Sequence, residues 1–174
     1  MRKRILPILA VLAAGACFTS CMDDNEENYD DWKLQNDEYI ANIDTKEYEK
    51  VTPEWAPLSS VYIKWHNDRT LTANSLVAKS NSTVNIKYEV RDIEGTLLDS
   101  SYARTDSVHQ STPSSNIIGM WIAMTTMHVG DSATVVMPWS VGYGVAGKND
   151  IKPYSDLIFH MKVKSIEAFE RPTE

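Results

Sequence analysis

Residues 83–91 alternate without a break: Val84, Ile86, Tyr88 and Val90 are apolar, while Asn85, Lys87, Glu89 and Arg91 are polar. Successive side chains leave an extended strand on opposite sides, so this period of two describes a strand with one face on a core and the other in water. The pattern returns at 132–137 with Ala133, Val135 and Met137, and at 157–163 with Leu157, Phe159, Met161 and Val163. Residues 61–65 and 75–78 are shorter strand candidates, and Glu94-Gly95 stands between two strand-like runs as a hairpin turn. One segment changes the period. At 119–127, Met120, Met124 and Met127 fall at i, i+4 and i+7 on one face of a short helix, and Gly130 supplies its stop. Several antiparallel strands against one short helix make an α+β domain.

The chain has 174 residues, 43% of them hydrophobic, which suffices for one domain with a real core plus accessory segments. Its 17 Lys and Arg are outnumbered by 24 Asp and Glu, giving a net charge of −7. A surface of that sign is unsuited to neutralising phosphates, so nucleic acid is not an expected partner. No apolar run reaches the ~20 residues of a membrane-spanning helix. His66, His109, His128 and His160 never pair at i, i+4 and no Cys/His cluster occurs, so no metal is expected.

The N-terminus reads as an export signal. Arg2, Lys3 and Arg4 form a positive head, and residues 5–16 form an apolar core too short to span a bilayer. Phe18-Thr19-Ser20-Cys21 follows, and then Met22-Asp23-Asp24-Asn25-Glu26-Glu27. Small residues before a cysteine at this place resemble the lipobox of bacterial lipoproteins, in which the cysteine becomes the acylated first residue of the mature chain. Residues 1–20 are therefore expected to be a lipoprotein signal peptide and Cys21 the lipidation site. Cys17, preceded by Ala14-Gly15-Ala16, competes with it, and Phe18 departs from the usual Leu. Lipid chains rather than a helix then hold the protein to a membrane of the cell envelope, expected to be the outer membrane, on its periplasmic or surface face. With Cys21 acylated and Cys17 removed, no thiol is left for a disulfide.

Residues 22–54 carry 12 acidic side chains against Lys33, Lys46 and Lys50, so 3 − 12 gives −9 and leaves the rest of the chain close to neutral. The acidic run also resembles the surface-export signals of some Bacteroidetes-type lipoproteins. Residues 21–57 are expected to be an acidic tether, in which Trp32, Tyr39, Ile40 and Ile43 offer a broken apolar face for one docked helix. Pro53 and Pro57 mark the boundary, and the main domain is expected over 58–170.

Within that domain four blocks occur in a telling order. Val84-Asn85-Ile86-Lys87-Tyr88 with Glu94-Gly95-Thr96-Leu97-Leu98-Asp99-Ser100-Ser101 is the first, and Ile117-Ile118-Gly119 with Met127-His128-Val129-Gly130-Asp131 the second. Gly142-Tyr143-Gly144 and then Ile151-Lys152-Pro153 through Leu157-Ile158-Phe159 complete the set. Together they resemble the sequence blocks of FKBP-type peptidyl-prolyl cis-trans isomerases. The resemblance implies a half-barrel of five or six antiparallel strands wrapped around the short helix, with a proline pocket between helix and sheet. It implies catalytic roles for Tyr88, Asp99, Tyr143 and Phe159, and substrate-binding positions at Leu98, Ile117, Ile118, Met120, Trp121 and Ile151. By the same resemblance Tyr88 and Asp99 are expected to form a polar pair, the Ile117 N–H and the Tyr143 hydroxyl to donate to carbonyls of the peptide, Phe159 to be an apolar wall and Met120 the floor.

The implied reaction needs no cofactor, because it makes and breaks no bond. Its implied substrates are proline-containing unfolded or nascent exported polypeptides. Departures from the family pattern are local: Leu98 stands where Phe is usual and Met120 where Trp is usual, with Trp121 adjacent and able to turn inward. Residues 107–110 occupy the region where the family carries pocket phenylalanines, and one extra residue lies between Pro138 and Tyr143. Fewer rings make a wider, softer pocket. The alternative reading is accordingly a catalytically weak or inactive chaperone or peptide-binding lipoprotein of the same fold, and a third is a structural lipoprotein whose acidic segment binds a partner. From spacing alone Tyr88, Phe159 and the methionines read as core residues, and Asp99 serves equally to open the Asp99-Ser100-Ser101 turn.

Overall fold

The computed structural model of the chain describes residues 28–168. The expected signal segment 1–20, Cys17, Cys21, the first residues of the tether and the domain's last residues lie outside them. Helix α1 (Asp30–Ala41) is followed by strands β1 (Glu49–Val51), β2 (Val61–Trp65), β3 (Thr83–Arg91), β4 (Leu97–Ser100) and β5 (His109–Ser111). Helix α2 (Ile118–Thr126), β6 (Ser132–Met137) and β7 (Leu157–Ala168) complete the order. The strands form one antiparallel sheet, β1-β2-β6-β7-β3-β4, and β5 pairs with the other end of the β3 edge that β4 uses.

The α+β class holds, with two adjustments. The sheet has seven strands rather than five or six, because Glu49–Val51 in the expected tether pairs with β2. A three-residue edge strand with two exposed side chains has no period to read. Residues 75–78 do not form a strand. Val77 makes a single bridge to His128, and the Leu76 carbonyl accepts from the Val129 N–H at 2.8 Å, so this backbone is satisfied by the end of α2 instead.

Alternation sets the core. Val84, Ile86, Tyr88 and Val90 of β3 point inward beside Leu157, Phe159, Met161 and Val163 of β7, Ala133, Val135 and Met137 of β6, and Val61 and Ile63 of β2. Against this concave face lies α2, of which Met120, Ile122, Ala123 and Met124 are buried, together with Met127 just beyond it. A helix apolar on nearly every side is the kind that sits in a core. At its start, a Cβ added to Gly119 would come within 2.8 Å of Met137 Sδ, so the missing side chain lets the helix close onto β6.

Helix α1 docks through Trp32 and Asn36, its two buried residues, while Tyr39, Ile40 and Ile43 of the expected apolar face are half-buried. Asp30 and Asp31 suit its N-terminal turn, and Lys33 pairs with Asp37 one turn on. Asn36 Oδ1 accepts from the backbone N–H of Asp156 at 2.7 Å. Asp156 is fully buried; its Oδ1 accepts from the Trp139 N–H at 2.8 Å and its Oδ2 has no partner among the described residues. Burial therefore pushes its carboxyl up to about 7, with the Asp37 charge adding to the rise and the Trp139 hydrogen bond opposing it.

The folded protein thus keeps on Asp156 a proton that the unfolded chain releases near pH 4, and this contribution to stability is lost as pH rises through about 7. Replacement by a side chain that cannot ionise removes the dependence. In denaturant unfolding followed from pH 5 to pH 8, Asp156→Asn should gain on the wild type by roughly 2–4 kcal/mol. A difference that stays constant with pH would show that Asp156 ionises normally.

Candidate active site

Strands β3 and β7 turn Ile86, Tyr88, Val90, Leu157 and Phe159 toward one cavity of about 520 Å³ on the α2 side of the sheet. Met120 closes it from α2, β4 adds Asp99 and β5 adds His109, and the loops add Arg104, Ser115, Asn116, Ile117, Tyr143, Lys148 and Ile151. Seven of the ten expected site residues therefore meet here: Tyr88, Asp99, Ile117, Met120, Tyr143, Ile151 and Phe159.

Three do not. Leu98 is half-buried and packs on the core from β4 without lining the cavity, and Ile118 is exposed on the first turn of α2. Trp121, expected to turn inward, lies on the outer side of α2 and stacks on Trp55 with ring centroids 4.2 Å apart. For the two on α2 the reason is helical geometry: side chains one and two positions from Met120 are turned by about 100° and 200°, so with Met120 facing the cavity Trp121 and Ile118 cannot.

The polar corner is built by β3, β4 and the turn after β4. The Tyr88 hydroxyl donates to Asp99 Oδ2 at 2.5 Å, and Asp99 Oδ1 accepts from the Ser100 N–H at 2.7 Å. Buried Ser101 ties the layers together, accepting from the Tyr88 N–H at 3.0 Å and donating to the Ser107 carbonyl at 2.8 Å. Burial, then the Asp99 hydrogen bond and charge, hold the Tyr88 phenol far above its ordinary value, so it remains a donor. Its ring meets His109 edge-on at 5.7 Å and Phe159 at the same distance, tilted by 48°.

Two donors around the cavity have nothing to donate to among the described residues. Ile117, in extended conformation just before α2, makes no hydrogen bond through its N–H. The Tyr143 hydroxyl is likewise without a partner, and its ring lies 5.2 Å from Lys148 Nζ. Tyr143 is presented by a tight loop. The Gly144 N–H donates to the Trp139 carbonyl, and Gly147, at φ +63°, would place a Cβ 2.3 Å from the Ile151 carbonyl oxygen. A cavity whose wall and floor are apolar (Ile86, Val90, Met120, Leu157 and Phe159), with unpaired donors at its rim, can take an uncharged ring and bind the carbonyls that flank it. No group of three or more metal-ligating side chains occurs among the described residues.

The residues the sequence did not single out belong to two kinds. Ile86, Val90 and Leu157 were legible as inward strand positions, but nothing marks an inward residue as cavity lining. Arg104, Ser115, Asn116 and Lys148 come from loops whose placement depends on the whole fold. His109 replaces an expected ring with a titratable one. Burial first, and the Arg104 charge second, lower its pKa, while Asp99 opposes them.

Residues 75–164 match the family model of FKBP-type peptidyl-prolyl cis-trans isomerases. That is more than half of the chain, which therefore belongs to this family: its activity is the cis-trans isomerisation of prolyl peptide bonds, on proline-containing polypeptides. The fold is shared with a peptidyl-prolyl cis-trans isomerase of Pseudomonas syringae pv. tomato, at a TM-score of 0.67 and 17% identity over 81% of this chain and 97% of that one. FkpA of Escherichia coli matches with a TM-score of 0.64 and 23% identity, over 78% of this chain and 59% of FkpA. No curated protein sequence matches the chain.

With its pKa lowered, His109 is neutral at pH 7 and gains a charge only in acid, beside Arg104, Tyr88 and Asp99. On an uncharged prolyl peptide, kcat/KM should hold through neutral pH and fall only in acid, with the limb centred below the ordinary histidine value of about 6.5. His109→Phe should remove that acid limb. An unchanged limb in the variant would place the titration elsewhere.

Proposed function

We propose that the protein is a lipid-anchored prolyl isomerase of the cell envelope, which speeds the folding of exported polypeptides by turning their proline bonds. The observation that carries the catalytic half is the meeting of Tyr88, Asp99, Ile117, Met120, Tyr143, Ile151 and Phe159 on one cavity. The envelope half rests on the sequence: the basic head and apolar core of residues 1–16, Cys21 after small residues, and the −9 segment that follows.

The chemistry suits such a cavity. Resonance makes the peptide C–N bond partly double and sets a barrier of about 18–20 kcal/mol. In the twisted state that resonance, and with it much of the carbonyl's polarity, is lost. Water stabilises the polar planar forms, so moving the bond onto Met120, Phe159 and Ile151 lowers the twisted state relative to them. The Ile117 N–H and the Tyr143 hydroxyl hold the flanking carbonyls in a turn. The Tyr88–Asp99 pair fixes one wall, with the Asp99 carboxylate pinned by two donors and kept from swinging into the cavity. Uncatalysed isomerisation takes tens of seconds, slow enough to limit folding.

Two measurements test the two halves. In a proline-limited refolding assay the wild-type domain should accelerate the slow phase, and the Asp99→Val, Tyr143→Phe double variant should lose about tenfold or more in kcat/KM, the equivalent of one or two hydrogen bonds. Equal activity would take the reaction out of this cavity. In cells, Cys21→Ala should release the protein from the membrane fraction and abolish fatty-acid labelling. Retention of both would contradict the anchor, and loss of both in Cys17→Ala instead would move it.

A further inference from the structure

The family match begins at residue 75, so α1 lies outside it, yet one face of α1 grips both ends of the loop that completes the cavity. We propose that α1 is a positioning element for the isomerase reaction: through Trp32, Asn36 and Asp37 it holds the 138–156 loop in the form that carries Tyr143 and Ile151 into the proline cavity.

The contacts lie at i, i+1, i+4 and i+5 of the helix, one continuous face. Trp32 Nε1 donates to Ser155 Oγ at 3.0 Å, and Ser155 in turn donates to the Lys152 carbonyl at 2.8 Å. Asn36 uses both ends of its amide, donating to the Trp32 carbonyl and accepting from the Asp156 N–H, each at 2.7 Å. Asp37 Oδ1 accepts from Trp139 Nε1 at 2.9 Å, and Lys33 Nζ stands 5.5 Å from the Trp139 ring and 5.8 Å from that of Tyr154. From the loop side, Lys152 Nζ lies 4.4 Å over the Trp32 ring. Trp32, Asn36, Ser155 and Asp156 are all buried and make the interior of the seam, with the Asp37–Trp139 bond at its exposed rim.

Within the loop the grip leads directly to Tyr143. Its two ends are joined where Asp156 accepts from the Trp139 N–H. From Trp139 the carbonyl reaches the Gly144 N–H, and the Gly144 carbonyl accepts from the Tyr154 N–H at 2.9 Å. Tyr154 is held at φ +60°, a conformation a bulky residue adopts only under constraint, with its ring edge-on to Trp139 at 5.2 Å. Such a backbone persists only while its surroundings over-determine it, and α1 contributes Lys33 beside the Tyr154 ring and Trp32 and Asn36 on the two residues that follow it. Misplacing a positioning group by about 1 Å can cost a hundredfold in rate.

The test uses the full chain and two mild variants. Trp32→Phe keeps the ring and deletes the N–H. Asn36→Asp keeps the acceptor for Asp156 but can donate to the Trp32 carbonyl only while protonated. The ionisable groups around that seam are Lys33, Asp37 and Tyr39 on α1, and Lys152, Tyr154 and Asp156 from the loop; the buried Asp156 carboxyl, held by a single hydrogen bond, resists a second negative charge nearby.

With a proline-containing tetrapeptide anilide, and temperatures well below each variant's Tm, Trp32→Phe should lower kcat/KM at least threefold. Asn36→Asp, expressed as a ratio to the wild type at each pH, should act almost normally at pH 5 and fall about tenfold by pH 8. Leu34→Ala, on the exposed face of α1, should match the wild type. A lower Tm with kcat/KM unchanged in both test variants, and a ratio flat with pH, would make α1 a stabilising brace and overturn the proposal. Wild-type turnover measured alongside separates that outcome from any failure of the isomerase activity itself.

Discussion

The antiparallel pairing of β3 with β7 reaches from Thr83 opposite Ala168 to Arg91 opposite Ile158, and the cavity's shape depends on its register. Val90 stands opposite Phe159 and Tyr88 opposite Met161, which brings the phenol and the phenyl ring within 5.7 Å on the concave side. A slip of one residue would send every one of these side chains to the solvent face. Two register shifts, between Thr83 and Val84 and between Asn85 and Ile86, add local twist, the usual effect of bulges on a sheet that must curve. Curvature is what leaves room for α2 against the sheet and for a cavity beside it.

Two fully buried aspartates show how the same residue type serves opposite electrostatic ends. Burial raises the pKa of both. At Asp131 hydrogen bonds from Thr72, the His128 N–H and Asn67, with the Arg69 charge, outweigh burial and hold the carboxyl below its ordinary value. Asp131 is thus a firmly ionised knot joining the 67–72 segment to the end of α2. Among the described residues Asp156 has one hydrogen bond to its carboxylate and no cation in contact, so burial prevails. The difference is the count of donors, since an ionised carboxylate out of water needs several to be tolerated. The softer of the two sits in the seam between α1 and the active-site loop.

The cavity itself is less aromatic than the sequence blocks of the family lead one to expect. Met120 is its floor, His109 stands against Tyr88, and Arg104 and Lys148 bring two cations to a site whose own carboxylate, Asp99, is occupied by Tyr88. The apolar surface that strips water from a prolyl bond is kept by Ile86, Val90, Leu157, Phe159 and Ile151, most of them aliphatic. Desolvation needs apolar area and closeness, not rings as such.

Strands β2, β3 and β6 occur over the residues whose alternation describes them, and α2 lies within one residue of its expected start, because hydrophobic period is a local property that burial enforces. Seven site residues were legible for a different reason: the resemblance attaches roles to positions in or beside the four sequence blocks, whereas spacing alone reads Tyr88, Phe159 and Met120 as core. What one-dimensional pattern could not decide was direction and company. Trp121 and Met120 are neighbours in sequence, and only packing of α2 onto β6 at Gly119 determined which of them faces the cavity. Nor does anything in Asp30–Ala41, read alone, tell that Asn36 would be buried against Asp156, 120 residues away. The sequence by itself determined the longer strands β2, β3, β6 and β7, the central helix and the apolar character of the inward face, since those follow from period and residue type. Tertiary structure alone decided which loops bring cations and donors to the rim and that α1 holds one of them, because such contacts join residues that no local rule relates.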